Sequence, residues 1–348
     1  MKKAPYKILV TGGAGFIGSH FIRDLLSLPE KFSVVNVDLL TSSSNQENLR
    51  DVEATAEPSR YRFYAEDIGG SSAMHDILEA EKPSAIVHFA AESHVDTSIA
   101  EPTGVFSNNA LGTARFLEEA RSYWKGLPSG KKKAFRFINI STDEVFGSLS
   151  NKLRPFLEES PFQPNNPYAA SKAAVDCLAR AYWQTYKFPV ITTHCTNNYG
   201  PFQKAEKLIP RVISLALQEK PITVHGSGLQ ARNWLHVRDH CSALRSVLRK
   251  GSPGEVYNIG ASPQSTWTNI KLVQELCNFL DAKKPWLKGS YRELITFVAN
   301  RPANDKAYAL NTFKIEQELY WKPSYALTKG LEETVAWYLA NPEYLEFS

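Results

Sequence analysis

A chain of 348 residues with 43% hydrophobic and 22% charged residues has the make-up of an ordinary globular protein, long enough to bury roughly three-quarters of its unfolded surface. Its formal net charge of +4, from 40 basic and 36 acidic residues, is too small to announce a nucleic-acid partner, and no run approaches the ~20 apolar residues of a membrane span. Four cysteines, Cys177, Cys195, Cys241 and Cys277, stand far apart with no Cys-x-x-Cys, which points to reduced thiols, a cytoplasmic protein and no structural metal.

In chain order, Lys7–Thr11 reads as a short strand, beginning too early for a signal peptide to precede it. The run Thr11-Gly12-Gly13-Ala14-Gly15-Phe16-Ile17-Gly18 follows, then a helix over Ser19–Leu28 with Phe21, Ile22, Leu25 and Leu26 at helical spacing. Val34–Val37 is the next strand and ends on Asp38. Further strands are expected at Tyr61–Tyr64, Ala85–Ala90, Phe135–Ile140, Val190–Thr193 and Ile222–Val224. Helices are expected at Ser72–Glu81, Asn108–Ser122, Pro167–Tyr186 and Leu208–Glu219. Lys131-Lys132-Lys133, after Pro128, Ser129 and Gly130, reads as a solvated loop. His236 and His240 fit a strand entering a helix capped by Asp239 better than a metal site.

This alternation predicts an α/β fold, a doubly wound parallel sheet that binds its ligand at the carboxyl ends of the strands. After residue 200, prolines such as Pro201, Pro210, Pro221 and Pro253 punctuate shorter elements. Residues 1–200 are therefore expected to form a dinucleotide-binding domain with the catalytic residues, and 201–348 mainly a smaller substrate lobe, with some segments returning to the first sheet.

Gly13-x-Gly15-x-x-Gly18 sits between a strand and a helix, with Asp38 twenty residues beyond Gly18. Glycines allow the tight turn and let a pyrophosphate approach bare backbone; the carboxylate would hold ribose hydroxyls and repel a 2′-phosphate. The expected cofactor is NAD. By position, Asp67 and Ile68 would flank the adenine, and Ala90, Ala91 and Ser93 would let the backbone pass close to the dinucleotide.

Tyr168 and Lys172 lie four apart on the expected helix and share a face. The lysine charge should favour the phenolate, which can take a hydroxyl proton while hydride leaves for a nicotinamide. Asn166-Pro167 would set the helix start. Asp143 and Glu144 end the strand Phe135–Ile140, where two carboxyl groups in unequal environments can act as acid and base, and Thr142 offers a hydroxyl to the reacting alcohol.

Together with Ala90-Ala91-Glu92-Ser93-His94-Val95-Asp96, Ser141-Thr142-Asp143-Glu144-Val145-Phe146-Gly147 and Asn197-Asn198-Tyr199-Gly200-Pro201, these motifs give the chain a nearly end-to-end resemblance to the extended short-chain dehydrogenase/reductase superfamily. Within it the chain resembles the dTDP-glucose 4,6-dehydratase family. The resemblance implies a Rossmann-type domain with NAD contacts from Gly12, Gly15, Phe16, Ile17, Gly18, Asn108, Tyr168, Lys172 and Asn198, besides those named above. It implies a nucleoside-diphosphate sugar substrate held by Ser93, Thr142, Asn197, Lys207, Leu208, His225, Arg232, Asn269, Arg301 and Asn304. It also implies a homodimer formed through helices within Asn108–Ser122 and Pro167–Tyr186. The chain departs from the family pattern at Thr97, where members carry Arg, at His225, where they carry Tyr, and at Ala303 and Asn304, where they carry Gly and His. Readings left open are a dehydratase acting on UDP-glucose, a 4-epimerase or decarboxylase on the same fold, and a non-catalytic NAD-binding relative. The paired acids argue against the epimerase and decarboxylase, and the intact Tyr168 and Lys172 argue against the non-catalytic reading.

Overall fold

A computed structural model describes residues 6–29, 32–41, 43–149, 154–300, 302 and 305–346. Among them run strands β1 (Tyr6–Thr11), β2 (Phe32–Val37), β3 (Tyr61–Tyr64), β4 (Ala85–His88), β5 (Arg136–Thr142) and β6 (Val190–Cys195). The later strands are β7 (Asn197–Tyr199), β8 (Ile222–His225), β9 (Ala231–His236), β10 (Val256–Ile259), β11 (Thr266–Thr268) and β12 (Ile295–Val298). Seven form one sheet in the order β10-β6-β5-β4-β1-β2-β3, every neighbouring pair parallel. Strands such as Ala85-Ile86-Val87-His88 are buried throughout because helices cover both faces, which is why they read as continuous apolar runs.

On one face Phe21, Ile22 and Leu25 of the helix Phe16–Ser27 pack with Leu244 and Val247 of the helix Val237–Lys250. On the other, Met74 and Ile77 meet Phe116 and Leu117. A third core, around Val212, Leu272, Leu276, Val335 and Tyr338, lies in the C-terminal part, against the smaller β11-β9-β7 and β12-β8 sheets. Strand order reverses beside β1, whose neighbours are β2 and β4, so a crevice opens at their carboxyl ends.

Several expectations are revised by the structure. The helix expected at Asn108–Ser122 begins with a π-helical turn, Ser107–Gly112, before the α-helix Thr113–Gly126. The turn carries Asn109, whose buried side-chain amide is fully engaged: Nδ2 donates to the Glu92 carbonyl at 2.9 Å and to Ser171 Oγ at 3.0 Å, and Oδ1 accepts from the Glu92 N–H at 2.7 Å. Strand β4 stops at His88, so Phe89, Ala90 and Ala91 leave it as a loop. The lysine run is not a loop: Ser129–Ala134 is a short helix whose Lys132 carbonyl accepts from Trp124 Nε1 at 3.1 Å. The helix Val237–Lys250 is capped by His236, which accepts the Arg238 N–H. Asp239 is committed instead to Ser324 and Tyr325, whose donors it accepts at 2.7–3.0 Å. Among the described residues no helix is long and apolar enough to cross a membrane, and no cluster of three or more His, Cys, Asp or Glu could hold a metal.

Candidate active site

The crevice contains a cavity of about 310 Å³ that joins the glycine loop to the ends of β5 and β6. Its dinucleotide end is shaped by the main chain. Gly12 has φ +70°, and a Cβ there would lie 2.6 Å from the Ala90 nitrogen; a Cβ on Gly18 would lie 2.3 Å from the Gly12 carbonyl. Only glycine lets these three backbone segments touch. Gly15 precedes the helix Phe16–Ser27 without a side-chain cap, leaving the first N–H groups of that helix for an anion. Asp38 lines the cavity at the end of β2. Its carboxylate accepts the Ala14 N–H and the Leu40 N–H, both at 2.9 Å, so it also fixes the loop. This cradle of glycine backbone, exposed helix amides and a ribose-side carboxylate fits a dinucleotide without a 2′-phosphate. Phe16, Ile17, Asp67, Ile68, Ala90, Ala91, Ser93 and Asn108 line the same cavity.

The other end is built from side chains. Strand β5 delivers Thr142, and a 3₁₀ turn, Asp143–Phe146, carries the two acids. Asp143 is 2% exposed and its Oδ2 has no partner. Burial and the neighbouring Glu144 charge push its carboxyl well above the usual range, with the Arg232 guanidinium pulling the other way. Burial and the Glu144 charge both favour its neutral, proton-bearing form over the carboxylate. Glu144 is only partly buried and accepts from Asn166 Nδ2 at 3.0 Å. Asn166 also caps the helix Pro167–Tyr186 by accepting the Ala169 N–H at 2.8 Å, so one side chain fixes both the helix start and the second acid.

Tyr168 and Lys172 face the cavity from successive turns of that helix. Burial pushes the phenol well above its ordinary range, the Glu144 charge adds to this, as Cys195 and Asp143 do wherever they ionise, and its hydrogen bond with Thr142 partly offsets it. The net direction in the chain alone is thus opposite to the lowering expected from the lysine. Lys172, 4% exposed, is pushed down by burial, with Asp176 and Cys195 opposing. Cys195 also lines the cavity, as a thiol that burial pushes up to about 12.

Of the remaining expected positions, Asn197, Asn198 and Lys207 line the cavity, and Lys207 Nζ donates to the Ser93 carbonyl at 3.1 Å. Leu208 opens the adjoining helix Leu208–Leu217 but does not line the cavity. Neither do Arg232, Asn269 and His225. Arg232 lies buried under the Tyr308 ring, 4.5 Å from its centroid, and donates to the Asp305 carbonyl, close enough to act on Asp143. Asn269 keeps a buried Oδ1 without a partner, and His225 is exposed at the end of β8 with Nδ1 donating to the Ala299 carbonyl at 3.1 Å. Arg301 and Asn304 lie outside the described residues. Sequence reasoning missed the Asn166 link to Glu144 and the cavity residues Gln203, Lys204 and Glu206. The cap motif before Pro167 was visible, but nothing local points from it to an acid 22 residues earlier.

Comparison with known proteins places this geometry in context. The GDP-mannose 4,6-dehydratase family profile matches residues 9–334. The chain is 45% identical over 339 residues to the dTDP-glucose 4,6-dehydratase of Xanthomonas campestris pv. campestris (strain B100), covering 97% of this chain and 94% of that protein. It is 46% identical over 348 residues to dTDP-glucose 4,6-dehydratase 1 of Escherichia coli (strain K12), covering 98% and 94%. A crystal structure of DesIV, a dTDP-glucose 4,6-dehydratase from Streptomyces venezuelae with NAD bound, superposes with a TM-score of 0.86 at 39% identity, covering 98% of this chain and all of that one.

Proposed function

The chain belongs to the dTDP-glucose 4,6-dehydratase family, and from that premise we propose that it removes water from dTDP-glucose to give the 4-keto-6-deoxy sugar, using NAD. One observation carries the reading beyond family membership: a buried carboxyl held neutral, Asp143, stands beside the anchored carboxylate of Glu144 in the cavity that also holds Tyr168 and the glycine cradle. Oxidation alone, or epimerisation, has no use for that acid and base.

NAD, which Gly12, Gly15, Gly18 and Asp38 would hold, would supply a hydride acceptor and donor and a positive ring charge that favours the phenolate. Tyr168, held against Thr142, takes the proton of the 4-hydroxyl. Lys172 places a positive charge on the same helix face and favours that transfer. The ketone at carbon 4 acidifies the hydrogen on carbon 5, and Glu144, steadied by Asn166, removes it. Asp143 gives its proton to the departing 6-hydroxyl, which leaves as water, and Glu144 restores a proton at carbon 5 as carbon 6 receives the hydride, which completes the 4-keto-6-deoxy sugar. Arg232, Asn269, Asn197, Lys207 and Leu208 are assigned to the nucleoside diphosphate, together with His225, Arg301 and Asn304. The buried orphan Oδ1 atoms of Asn197 and Asn269 support that assignment, since each awaits a donor.

Residues 1–200 are read as the cofactor lobe and 201–348 mainly as the substrate lobe. The separate C-terminal core supports this, and β10 is the segment that returns to the main sheet. A cytoplasmic homodimer completes the reading. Its support is Phe106 and Leu111, each 47% exposed beside the π-helical turn, and four cysteines that are all free thiols.

The test is to incubate the purified protein with dTDP-glucose and UDP-glucose side by side and identify products by mass. Loss of one water from dTDP-glucose is expected. An isomer of unchanged mass would overturn the reaction, and dehydration of UDP-glucose alone would overturn the nucleotide.

A further inference from the structure

We infer that Asp176 is a positioning residue for the Tyr168–Lys172 pair: its buried carboxylate ties their helix to the carboxyl ends of β5 and β6 and supplies the negative charge that keeps the Lys172 side chain an ammonium. Tyr168, Lys172 and Asp176 occupy successive turns of one helix, four residues apart, and so share a face. Asp176 is 5% exposed. Its Oδ1 accepts from Asn139 Nδ2 at 2.8 Å; its Oδ2 accepts from Ser141 Oγ at 2.6 Å and pairs with His194 Nε2 at 3.0 Å. Asn139 and Ser141 belong to β5, the strand that delivers Thr142 and Asp143, and His194 belongs to β6 beside Cys195. A carboxylate buried at this depth needs such donors. No step of the reaction uses it.

The groups around Lys172 leave few sources of countercharge. Tyr168 on its own helix is pushed up by burial in the ligand-free chain, and from β6 Cys195 is pushed up to about 12. From β4, His88 is pushed down to about 3 by burial and by Lys172 itself. From the turn after β5, Asp143 is held neutral, while the Glu144 charge bears on Tyr168 and Asp143. Arg232, from β9, bears on Asp143, and His194 faces Asp176. Asp176 is the first of the groups opposing the burial of the ammonium.

The kinetic arm of the test rests on the dehydration proposed above; its melting arm does not. Asp176→Asn keeps the shape and removes the charge. The high-pH limb of kcat for dTDP-glucose should move down by about one pH unit, with KM little changed. In the ligand-free protein a lysine pushed down on folding makes stability rise with pH between its folded and unfolded values, because the unfolded chain then holds the extra proton. That rise should begin about one pH unit earlier in D176N than in wild type. Asp176→Glu, which keeps the charge, and Ser141→Ala, which removes one hydrogen bond, should leave both features in place whatever they cost in melting temperature. Asp176→Ser stands in if D176N does not fold.

An active wild type whose limb and melting profile are unmoved in the neutral variant overturns the inference. So does a shift in S141A as large as in D176N. Failure of both neutral variants to fold while D176E folds would assign the carboxylate to the fold alone. Absence of wild-type turnover would defeat the dehydration reading and leave the melting arm to decide this one.

Discussion

The two ends of the cavity are made from different materials. The dinucleotide end is main chain: Gly12, Gly15 and Gly18 bring backbone against backbone, and Asp38 braces the loop through N–H groups. The chemical end is side chain: Asp143, Glu144, Tyr168 and Lys172 crowd ionisable groups together, burial pushes Asp143 and Tyr168 up and Lys172 down, and the Glu144 charge adds to the first two. Sterics should govern substitutions at the first end and leave pH behaviour alone, whereas charge should govern the second, with little change in shape.

The largest effect is expected at the acids. Glu144→Gln should cut dehydration about 10²–10⁴-fold, while dTDP-glucose still gives the absorbance of the reduced cofactor. Normal dehydration by that variant would remove Glu144 as the base. Asp143→Asn should lose a similar factor yet be more stable than wild type. The sign follows from its raised value: above the ordinary carboxyl range the folded chain holds a proton that the unfolded chain has lost, so wild-type stability falls as pH rises. D143N lacks that fall, of up to ~1.4 kcal/mol per pH unit. Thermal melts should show its advantage at neutral pH shrinking toward about pH 4.

Gly18→Ala tests the main-chain end. Its Cβ would meet the Gly12 carbonyl at 2.3 Å, so the loop must move, at about 1–3 kcal/mol. Calorimetry should show weaker NAD binding with an unchanged pH profile; a variant binding NAD normally would break the contrast. Asn166→Ala sits between the two classes. Loss of its cap should cost about 1 kcal/mol in denaturant melts, and release of Glu144 should lower kcat more than KM. The smallest effect is expected at Lys132→Ala, a surface side chain over Trp124 whose change should stay within about 0.5 kcal/mol.

Legibility in the sequence followed the same division. The glycine cradle could be read because its constraint is local: strand, turn, helix and Asp38 occupy one contiguous stretch. Asp143 and Glu144 could be read because they are adjacent at a strand end. What could not be read depends on contacts across the chain. Asn166 reaches Glu144 over 22 residues, and Asn139 reaches Asp176 over 37. The upward shift of Tyr168 needs the depth of the pocket as well as its neighbours. The π-helical turn at Ser107–Gly112 carries Asn109 bonds to Glu92 and Ser171 that no helical periodicity encodes. His236, rather than Asp239, caps its helix because Ser324 and Tyr325 claim the aspartate from far along the chain.

Dehydration at this site turns on Asp143 carrying a proton at neutral pH while Glu144 beside it serves as the base. Infrared difference spectra between wild type and D143N, followed from pH 4 to pH 8, test it directly. A protonated-carboxyl band belonging to Asp143 that persists at neutral pH is the predicted result. Disappearance of that band in the ordinary carboxylate range, near pH 4, would contradict the account.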